Sequence, residues 1–142
     1  MDKDNAFLKP SSVIITGIAG FIGFHLASKL QEQGYKVVGC DDFNNYYSPD
    51  LKYKRAEILK KNGVVVYKLS LHDLKHHKHL FANIDTCIHL AAQAGVRYSL
   101  INPSSYITNN IDGFLEILQI LREFPHMRCL YASSSSVYGL NK

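Results

Sequence analysis

Three glycines spaced three residues apart follow a β-branched run near the start of the chain. The run Val13-Ile14-Ile15-Thr16 leads into Gly17-Ile18-Ala19-Gly20-Phe21-Ile22-Gly23, which predicts a strand that turns directly into a helix. Gly17 permits the turn, Gly20 lets backbone amides approach phosphate oxygens, and Gly23 lets the helix lie close to the strand. Because a helix N-terminus carries a partial positive charge, the pattern predicts a cradle for a dinucleotide pyrophosphate.

Glycine-rich turns also occur without any ligand, so the interpretation depends on the second predicted strand. That strand ends in Asp41 and Asp42, and Asp41 comes 18 positions after Gly23. A carboxylate there accepts hydrogen bonds from both ribose hydroxyls, whereas a 2′-phosphate would meet like charge and find no arginine fork. We therefore expect NAD rather than NADP. The alternative, that these acids begin a solvated turn, stays open above all for Asp42.

The composition is that of one folded unit. Hydrophobic residues make up 46% of the 142 residues and charged residues 20%, which is ordinary for a soluble globular protein, so we interpret 1–142 as one domain. No apolar run could span a bilayer, and residues 1–10 lack the apolar core of a signal peptide. Cys40, Cys87 and Cys129 have neither metal nor disulfide spacing and suit a reducing cytoplasm.

Charge and histidine content indicate neither a nucleic-acid surface nor a metal site. The net charge is +4, but the basic residues are dispersed and predict solvated faces: Lys52, Lys54, Arg55, Lys60, Lys61 and Lys68. Four histidines, His72, His76, His77 and His79, lie within one segment. We expect them to face solvent, because Asp73 is typical of a helix N-cap and the pattern H-E-x-x-H is missing.

Strand-like and helix-like patterns alternate along the chain. Strands are predicted near residues 12–16, 36–41, 64–69, 86–90 and 127–132, and helices near 21–33, 49–61, 74–82 and 103–123. This order predicts an α/β fold with a doubly wound parallel sheet of the Rossmann type. Ligands of such sheets bind beyond the carboxyl ends of the strands.

Two of those strand ends carry further candidate residues. The fourth strand opens into Ala91-Ala92-Gln93-Ala94-Gly95-Val96-Arg97, where small residues let the chain pass close to a ligand. The Arg97 guanidinium suits a carboxylate or phosphate, although a solvated loop arginine explains it equally well. The fifth strand runs into Ser133-Ser134-Ser135-Ser136, whose hydroxyls can hydrogen-bond a substrate alcohol or a developing oxyanion.

Four stretches together resemble the extended short-chain dehydrogenase/reductase family, and within it the UDP-glucuronate 4-epimerases. They are Thr16–Gly23, Asp41–Tyr47, His89–Ser99 and Tyr131–Gly139. The loop Ala-Ala-Gln-Ala-Gly-Val-Arg-Tyr-Ser and the run Ala-Ser-Ser-Ser-Ser-Val-Tyr-Gly are far more specific than the glycine turn.

The resemblance implies roles for individual residues. Gly17, Gly20, Phe21, Ile22 and Gly23 would hold the NAD pyrophosphate; Asp41, Asp42, Asn44 and Asn45 the adenosine; Asp73 and Leu74 the adenine; Leu90, Ala91 and Ala92 the nicotinamide side; and Asn110 a position near the cofactor. Ser134 would be the serine of the catalytic triad, and Gln93, Arg97, Ser135 and Ser136 would meet the UDP-sugar substrate. Asp42 stands where the family often has asparagine.

The family's catalytic Tyr-x-x-x-Lys pair lies beyond the serine run. Tyr138 and Lys142 spell that pattern, but they follow the serines too closely to match it. We therefore expect the NAD-binding N-terminal portion of a nucleotide-sugar 4-epimerase, truncated before the catalytic helix and substrate domain and inactive alone.

Three alternatives stay open: a non-catalytic NAD-binding module, a UDP-sugar dehydratase or decarboxylase fragment, and a degenerate chain without a ligand. We further expect self-association, as a homodimer or otherwise. The reason is that apolar residues of the last predicted helix cover more than one stripe: Ile107, Ile111, Phe114, Leu115, Leu118 and Leu121.

Overall fold

A computed structural model describes residues 12–140 of the chain. The strands are β1 Ser12–Thr16, β2 Lys36–Asp41, β3 Val65–Lys68, β4 Thr86–His89 and β5 Arg128–Tyr131. The α-helices are α1 Phe21–Glu32, α2 Pro49–Lys61, α3 Pro103–Tyr106 and α4 Gly113–Glu123. The expectations for residues 1–10 and for Lys142 fall outside the described residues.

The strands form one parallel sheet in the order β3-β2-β1-β4-β5. Strand β1 lies at its centre, where Ile15 pairs with Gly39 of β2 on one side and with Ile88 of β4 on the other. All five residues of β1 are buried, as expected for a strand covered on both faces. The expected doubly wound parallel sheet is confirmed.

Side chains alternate between two cores, one on each face of the sheet. Val13 and Ile15 point into the core that includes Leu59 of α2. Ile14, which lies between them in the same strand, points into the second core, which includes Ile117 and Ile120 of α4. This period-two alternation fixes the register of β1, because a slip of one residue would exchange the two faces.

Two predicted helices differ from those observed. The segment predicted as a helix over 74–82 forms two 3₁₀ helices, His72–His76 and Lys78–Phe81. His77 separates them with φ −123° and ψ 30°, and on either side of it Leu74 and Phe81 both reach the second core. The helix predicted over 103–123 is interrupted by a π-helical turn, Ile107–Asp112. The other predicted elements agree with the structure to within one residue at each end.

Part of the last helical segment leaves apolar side chains exposed. Ile107, Ile111, Leu115 and Leu118 are 42–57% exposed, whereas Phe114 and Leu121 pack against the second core. Strands β3 and β5 are the edges of the sheet. Between residues 12 and 140, none of the helices combines the length and apolarity needed to cross a bilayer.

Candidate functional site

The glycine turn is as tight as the sequence predicts. Gly17 has φ +71°, and a Cβ there would lie 2.9 Å from the backbone of Ala91. A Cβ on Gly23 would lie only 2.2 Å from the carbonyl oxygen of Gly17, far inside van der Waals contact. Because neither position has room for a side chain, helix α1 approaches the end of β1 as closely as backbones allow.

Helix α1 presents an open N-terminus to the cleft beside this turn. Its N-cap is Gly20, which offers no side chain to cap the helix, and the first turn contains no acidic residue. Phe21 and Ile22, the next two residues, are 66% and 63% exposed and line the cleft. The partial positive charge of the helix end is therefore available to an anion.

The carboxylate of Asp41 ties the glycine turn to the end of β2. Its Oδ2 accepts a hydrogen bond from the Ala19 amide at 3.2 Å, and its Oδ1 accepts one from the Phe43 amide at 2.9 Å. The side chain is almost fully buried, at 5% exposure. The glycine turn and the acidic end of β2, which the sequence predicts to bind one dinucleotide, are thus in direct contact.

Strain accompanies this acidic turn. Phe43 has φ +55°, a left-handed conformation that is costly for an aromatic residue. Its amide is held by Asp41, and its ring stacks on Tyr53 with centroids 4.7 Å apart. Asp42 is half-buried and accepts hydrogen bonds from the Asn44 amide at 2.9 Å and from Asn44 Nδ2 at 3.1 Å. These bonds shape the turn that walls the cleft.

Lys52 was predicted to lie on a solvated face, and that prediction is wrong. The residue is only 5% exposed, and its Nζ lies 3.4 Å from Asp41 Oδ1 and 3.9 Å from Asp42 Oδ1. It also donates to Asn44 Oδ1 at 3.1 Å, and it lies over the ring of Tyr47. Helix α2 turns this lysine inward because two carboxylates provide the pairing that a buried cation requires.

The ends of β1 and β4 are joined by a buried polar contact. Thr16 Oγ1 accepts the amides of Leu90 and Ala91, each at 3.2 Å, and lies 2.7 Å from His89 Nδ1. Because two amides already donate to the hydroxyl oxygen, the hydroxyl proton is free to be donated to Nδ1, and this arrangement favours the neutral imidazole. Burial accordingly lowers the pKa of His89 to about 4. This contact fixes the direction in which the loop after β4 leaves the sheet.

That loop is held from the far side by the π-helical turn. Asn110 Oδ1 accepts the Gln93 amide at 2.7 Å, and Asn110 Nδ2 donates to the Gln93 carbonyl at 3.0 Å. Asn110 itself lies outside the cleft lining, while its neighbour Asn109 lies within it. Leu90, Ala91, Ala92 and Gln93 all line the cleft.

Together these parts form a cleft of about 330 Å³ at the carboxyl ends of the strands. Twelve of the residues predicted to bind coenzyme or substrate line it: Gly17, Gly20, Phe21, Ile22, Gly23, Asp41, Asp42, Asn44, Leu90, Ala91, Ala92 and Gln93. Burial, with the neighbouring Asp41 and Asp42, raises the pKa of the lining Cys40 thiol to about 12. The Cys40 side chain is therefore an uncharged part of the lining and not a nucleophile.

The remaining predicted site residues lie outside this lining. Asn45 is exposed, Asp73 bonds Ser70 through its side chain, and Leu74 is fully buried in the second core. Arg97 is exposed in the 3₁₀ helix Val96–Leu100. Ser134, Ser135 and Ser136 are exposed beyond β5, and Ser134 Oγ accepts the Ser136 amide at 3.2 Å. Ala132, which follows β5 and precedes the serines, lines the cleft.

Several lining residues were given no role at the site from the sequence: Cys40, Tyr46, Tyr47, Lys52, Leu69, Ser70, Leu71, Asn109 and Ala132. A usable signal existed for Leu69, Ser70 and Leu71, because they directly follow β3 and a third parallel strand must end at the same edge. Lys52 gave no such signal, since a lysine within a charged helix ordinarily faces solvent.

A parallel sheet with a cleft of this kind at its carboxyl edge defines a Rossmann-like domain. Residues 14–142 match the family described as GDP-mannose 4,6 dehydratase, and the chain belongs to that family.

Individual relatives agree with the resemblance seen in the motifs. UDP-glucuronate 4-epimerase 4 of Arabidopsis thaliana is 44% identical over 133 residues, which are 92% of this chain and 30% of the relative. Protein CapI of Staphylococcus aureus is 47% identical over 131 residues, 91% of this chain and 39% of that protein. The chain thus spans about a third of the length of these curated relatives, and the expected resemblance to UDP-glucuronate 4-epimerases is confirmed.

A solved structure shares the fold. The UDP-glucuronic acid 4-epimerase of Bacillus cereus, in complex with UDP-glucuronic acid and NAD, has a TM-score of 0.81 and 32% sequence identity. The match covers 92% of this chain and 42% of that chain.

Proposed function

We propose that the cleft binds NAD. The observation that carries this proposal is the hydrogen bond from the Ala19 amide to Asp41, which joins the phosphate cradle to a buried ribose-binding carboxylate. The parts of the cleft fit the coenzyme: an uncapped helix end for the pyrophosphate, exposed apolar Phe21 and Ile22, and small residues Ala91 and Ala92 where a flat ring must pass. NAD bound there would supply a reversible hydride acceptor.

The site residues take roles by their place along this cleft. Gly17, Gly20 and Gly23 let the backbone approach the pyrophosphate, while Asp41, with Asp42 and Asn44 beside it, receives the adenosine ribose. Leu90, Ala91 and Ala92 line the nicotinamide end. Asn110 supports that end through its bonds to Gln93. Asn45, Asp73 and Leu74 are outside the lining, so Ser70 and Leu71 are the better candidates for the adenine wall.

We further propose that the chain corresponds to the N-terminal, coenzyme-binding part of a nucleotide-sugar 4-epimerase acting on UDP-glucuronate. Support comes from the curated relatives and from the Bacillus cereus enzyme, whose complex contains both UDP-glucuronic acid and NAD. In such a reaction the C4 hydroxyl is oxidised and the ketone is reduced on its other face. Ser134, Ser135, Ser136, Gln93 and Arg97 are the candidates for contact with the sugar.

The 142-residue chain by itself is proposed to bind coenzyme without epimerising. Removal of the C4 proton requires a titratable group near the nicotinamide end. The lining residues that come from the loop after β4, from the π-helical turn and from the end of β5 carry no titratable side chain: Leu90, Ala91, Ala92, Gln93, Ala94, Asn109 and Ala132. Formation of UDP-galacturonate from UDP-glucuronate by the purified chain would contradict this. A cytoplasmic setting remains the expectation from the cysteines.

A titration with NAD tests the binding proposal directly. Ile22→Glu places a negative charge on an exposed side chain at the cleft, so it should abolish binding while the helix N-terminus tolerates the acid. Ile58→Glu is the matched control, since Ile58 is 46% exposed on α2 and lies outside the lining. NAD at 100 times its Kd should stabilise the chain and Ile58→Glu by about 2.7 kcal/mol. No heat and no stabilisation in the unaltered chain would refute the proposal.

Self-association is proposed through the exposed apolar side chains of the last helical segment. Ile111 and Leu115 are more than half exposed, and they are four residues apart along the last helical segment. Light scattering should show a concentration-dependent mass for the chain, and Ile111→Lys/Leu115→Lys should reduce it. A monomer at all concentrations would contradict the proposal.

A further inference from the structure

The strongest feature that these roles leave unexplained is the lysine beside the proposed ribose site. We infer that Lys52 helps to determine coenzyme specificity. Its ammonium group could hold a 2′-phosphate, but Asp41 and Asp42 neutralise that charge, so that the cleft accepts NAD and not NADP. This inference rests on the proposed coenzyme site and deepens it.

The geometry places one positive charge between two negative ones inside the cleft. Lys52 Nζ is 3.4 Å from Asp41 Oδ1 and 3.9 Å from Asp42 Oδ1, and the side chains of Lys52 and Asp41 are only 6% and 5% exposed. Because opposite charges that are shielded from water attract each other strongly, the ammonium group of Lys52 stays paired with these two carboxylates. All three residues line the cleft.

A second cation stands three residues further along the same helix. Arg55 donates to the Ala19 carbonyl and to the Tyr47 hydroxyl, each at 3.3 Å, and its guanidinium lies over the ring of Phe21. Lys52 and Arg55 therefore both lie within reach of residues that wall the proposed ribose end. From the sequence we expected no arginine fork for a 2′-phosphate at this position, and in the structure two cations, Lys52 and Arg55, contact this part of the wall.

The pairing of Lys52 with Asp41 decides how the proposed ribose site meets a 2′-phosphate or a 2′-hydroxyl. With Asp41 ionised, an incoming 2′-phosphate meets a carboxylate whose counter-charge is already in use, whereas an uncharged 2′-hydroxyl can donate to that carboxylate. When asparagine replaces Asp41, Asp42 is the one carboxylate among the described residues that still lies within 4 Å of Lys52 Nζ, and its side chain is 33% exposed. Lys52 then becomes a partner for a phosphate, in the way that lysine serves as a point charge elsewhere.

The test compares affinities for NAD and NADP across a set of variants of the 142-residue chain. Asp41→Asn should weaken NAD and strengthen NADP, shifting their ratio by about tenfold or more. Adding Lys52→Met should cancel the gain for NADP, and Lys52→Arg in its place should keep the gain. Lys54→Met, an exposed lysine of the same helix, is the matched control and should leave the gain unchanged.

Asp42→Asn provides the same comparison in a less buried carboxylate, in case Asp41→Asn does not fold. Its NADP gain should be smaller and should also disappear with Lys52→Met. If the Asp41→Asn and Asp42→Asn variants bound NADP equally well with and without Lys52→Met, the inference would be overturned. NAD binding by the unaltered chain would still uphold the proposed function in that case. An unaltered chain that binds neither coenzyme would overturn both.

Discussion

Asn110 binds the backbone of Gln93 through both atoms of its side-chain amide. Oδ1 accepts the Gln93 amide at 2.7 Å, and Nδ2 donates to the Gln93 carbonyl at 3.0 Å. The pair joins the π-helical turn Ile107–Asp112 to the loop after β4, and Gln93 is 7% exposed. Irregular π turns are frequent at functional sites, and this one directs the asparagine at the loop that would carry the nicotinamide.

Asn110→Ala removes both hydrogen bonds and leaves the polar groups of Gln93 without them. We expect this to cost about 1–3 kcal/mol, partly as coenzyme affinity, with the Kd for NAD rising about tenfold. Asn110→Asp keeps the acceptor and loses the donor, so its effect should be intermediate. Titration calorimetry measures both, with exposed Asn62→Ala as the control. Equal affinity in all four proteins would show that the loop needs no such support.

Gly23→Ala should mainly lower the stability of the fold, because the added side chain collides with backbone and not with the space that the coenzyme would occupy. The added Cβ would lie 2.2 Å from the Gly17 carbonyl oxygen, which is backbone and cannot move aside. We expect a loss of about 3 kcal/mol or more in the free energy of unfolding, measured by urea denaturation. Gly20→Ala is the comparison, because its Cβ would meet only the Gly17 carbonyl oxygen, at 3.1 Å, and because Gly20 lines the cleft. It should fold nearly normally and bind NAD weakly; a folded Gly23→Ala would be the contrary result.

The fold was predictable because its signals are local. The β-branched run at 13–16 and the glycines after it specify strand, turn and helix within a few residues, and alternation of such units implies a parallel sheet. The segment 72–81 was not predictable in the same way. Its apolar residues fit a helical pattern, but the backbone breaks at His77 and packs both halves against the second core.

The site was predictable where a residue type has one physical use. Glycines at a turn and a carboxylate at a strand end have such a use, and all of them line the cleft. Lys52 was misplaced because its burial depends on two acids that only the folded chain brings beside it. Leu74 was assigned from the family pattern, and its complete burial reflects core packing that spacing does not reveal.

Cys129 should be the most reactive cysteine of the chain. It pairs with Cys87 across β4 and β5, and the hydrogen bond from the Cys87 thiol lowers the pKa of Cys129 to about 7. The same bond and burial raise the pKa of Cys87, and burial raises that of Cys40. Alkylation by iodoacetamide, followed by peptide mass spectrometry, should modify Cys129 first, with a rate that rises around pH 7. Cys87→Ala should move that rise to higher pH; modification of Cys40 first would contradict the assignment.

Stability should fall as the pH drops below about 6.5, because His89 is buried as a neutral ring. Its pKa is lowered from 6.5 to about 4 in the folded chain, so the unfolded chain binds the proton more readily between these values. The stabilising contribution is complete above pH 6.5 and is lost as the pH falls toward 4, by at most about 3 kcal/mol. Urea denaturation at pH 7.5, 5.5 and 4.5 measures it. His89→Asn should lower stability at pH 7.5 and flatten the pH dependence, while exposed His126→Gln should leave the slope unchanged. A slope that His89→Asn does not alter would assign the effect to other groups.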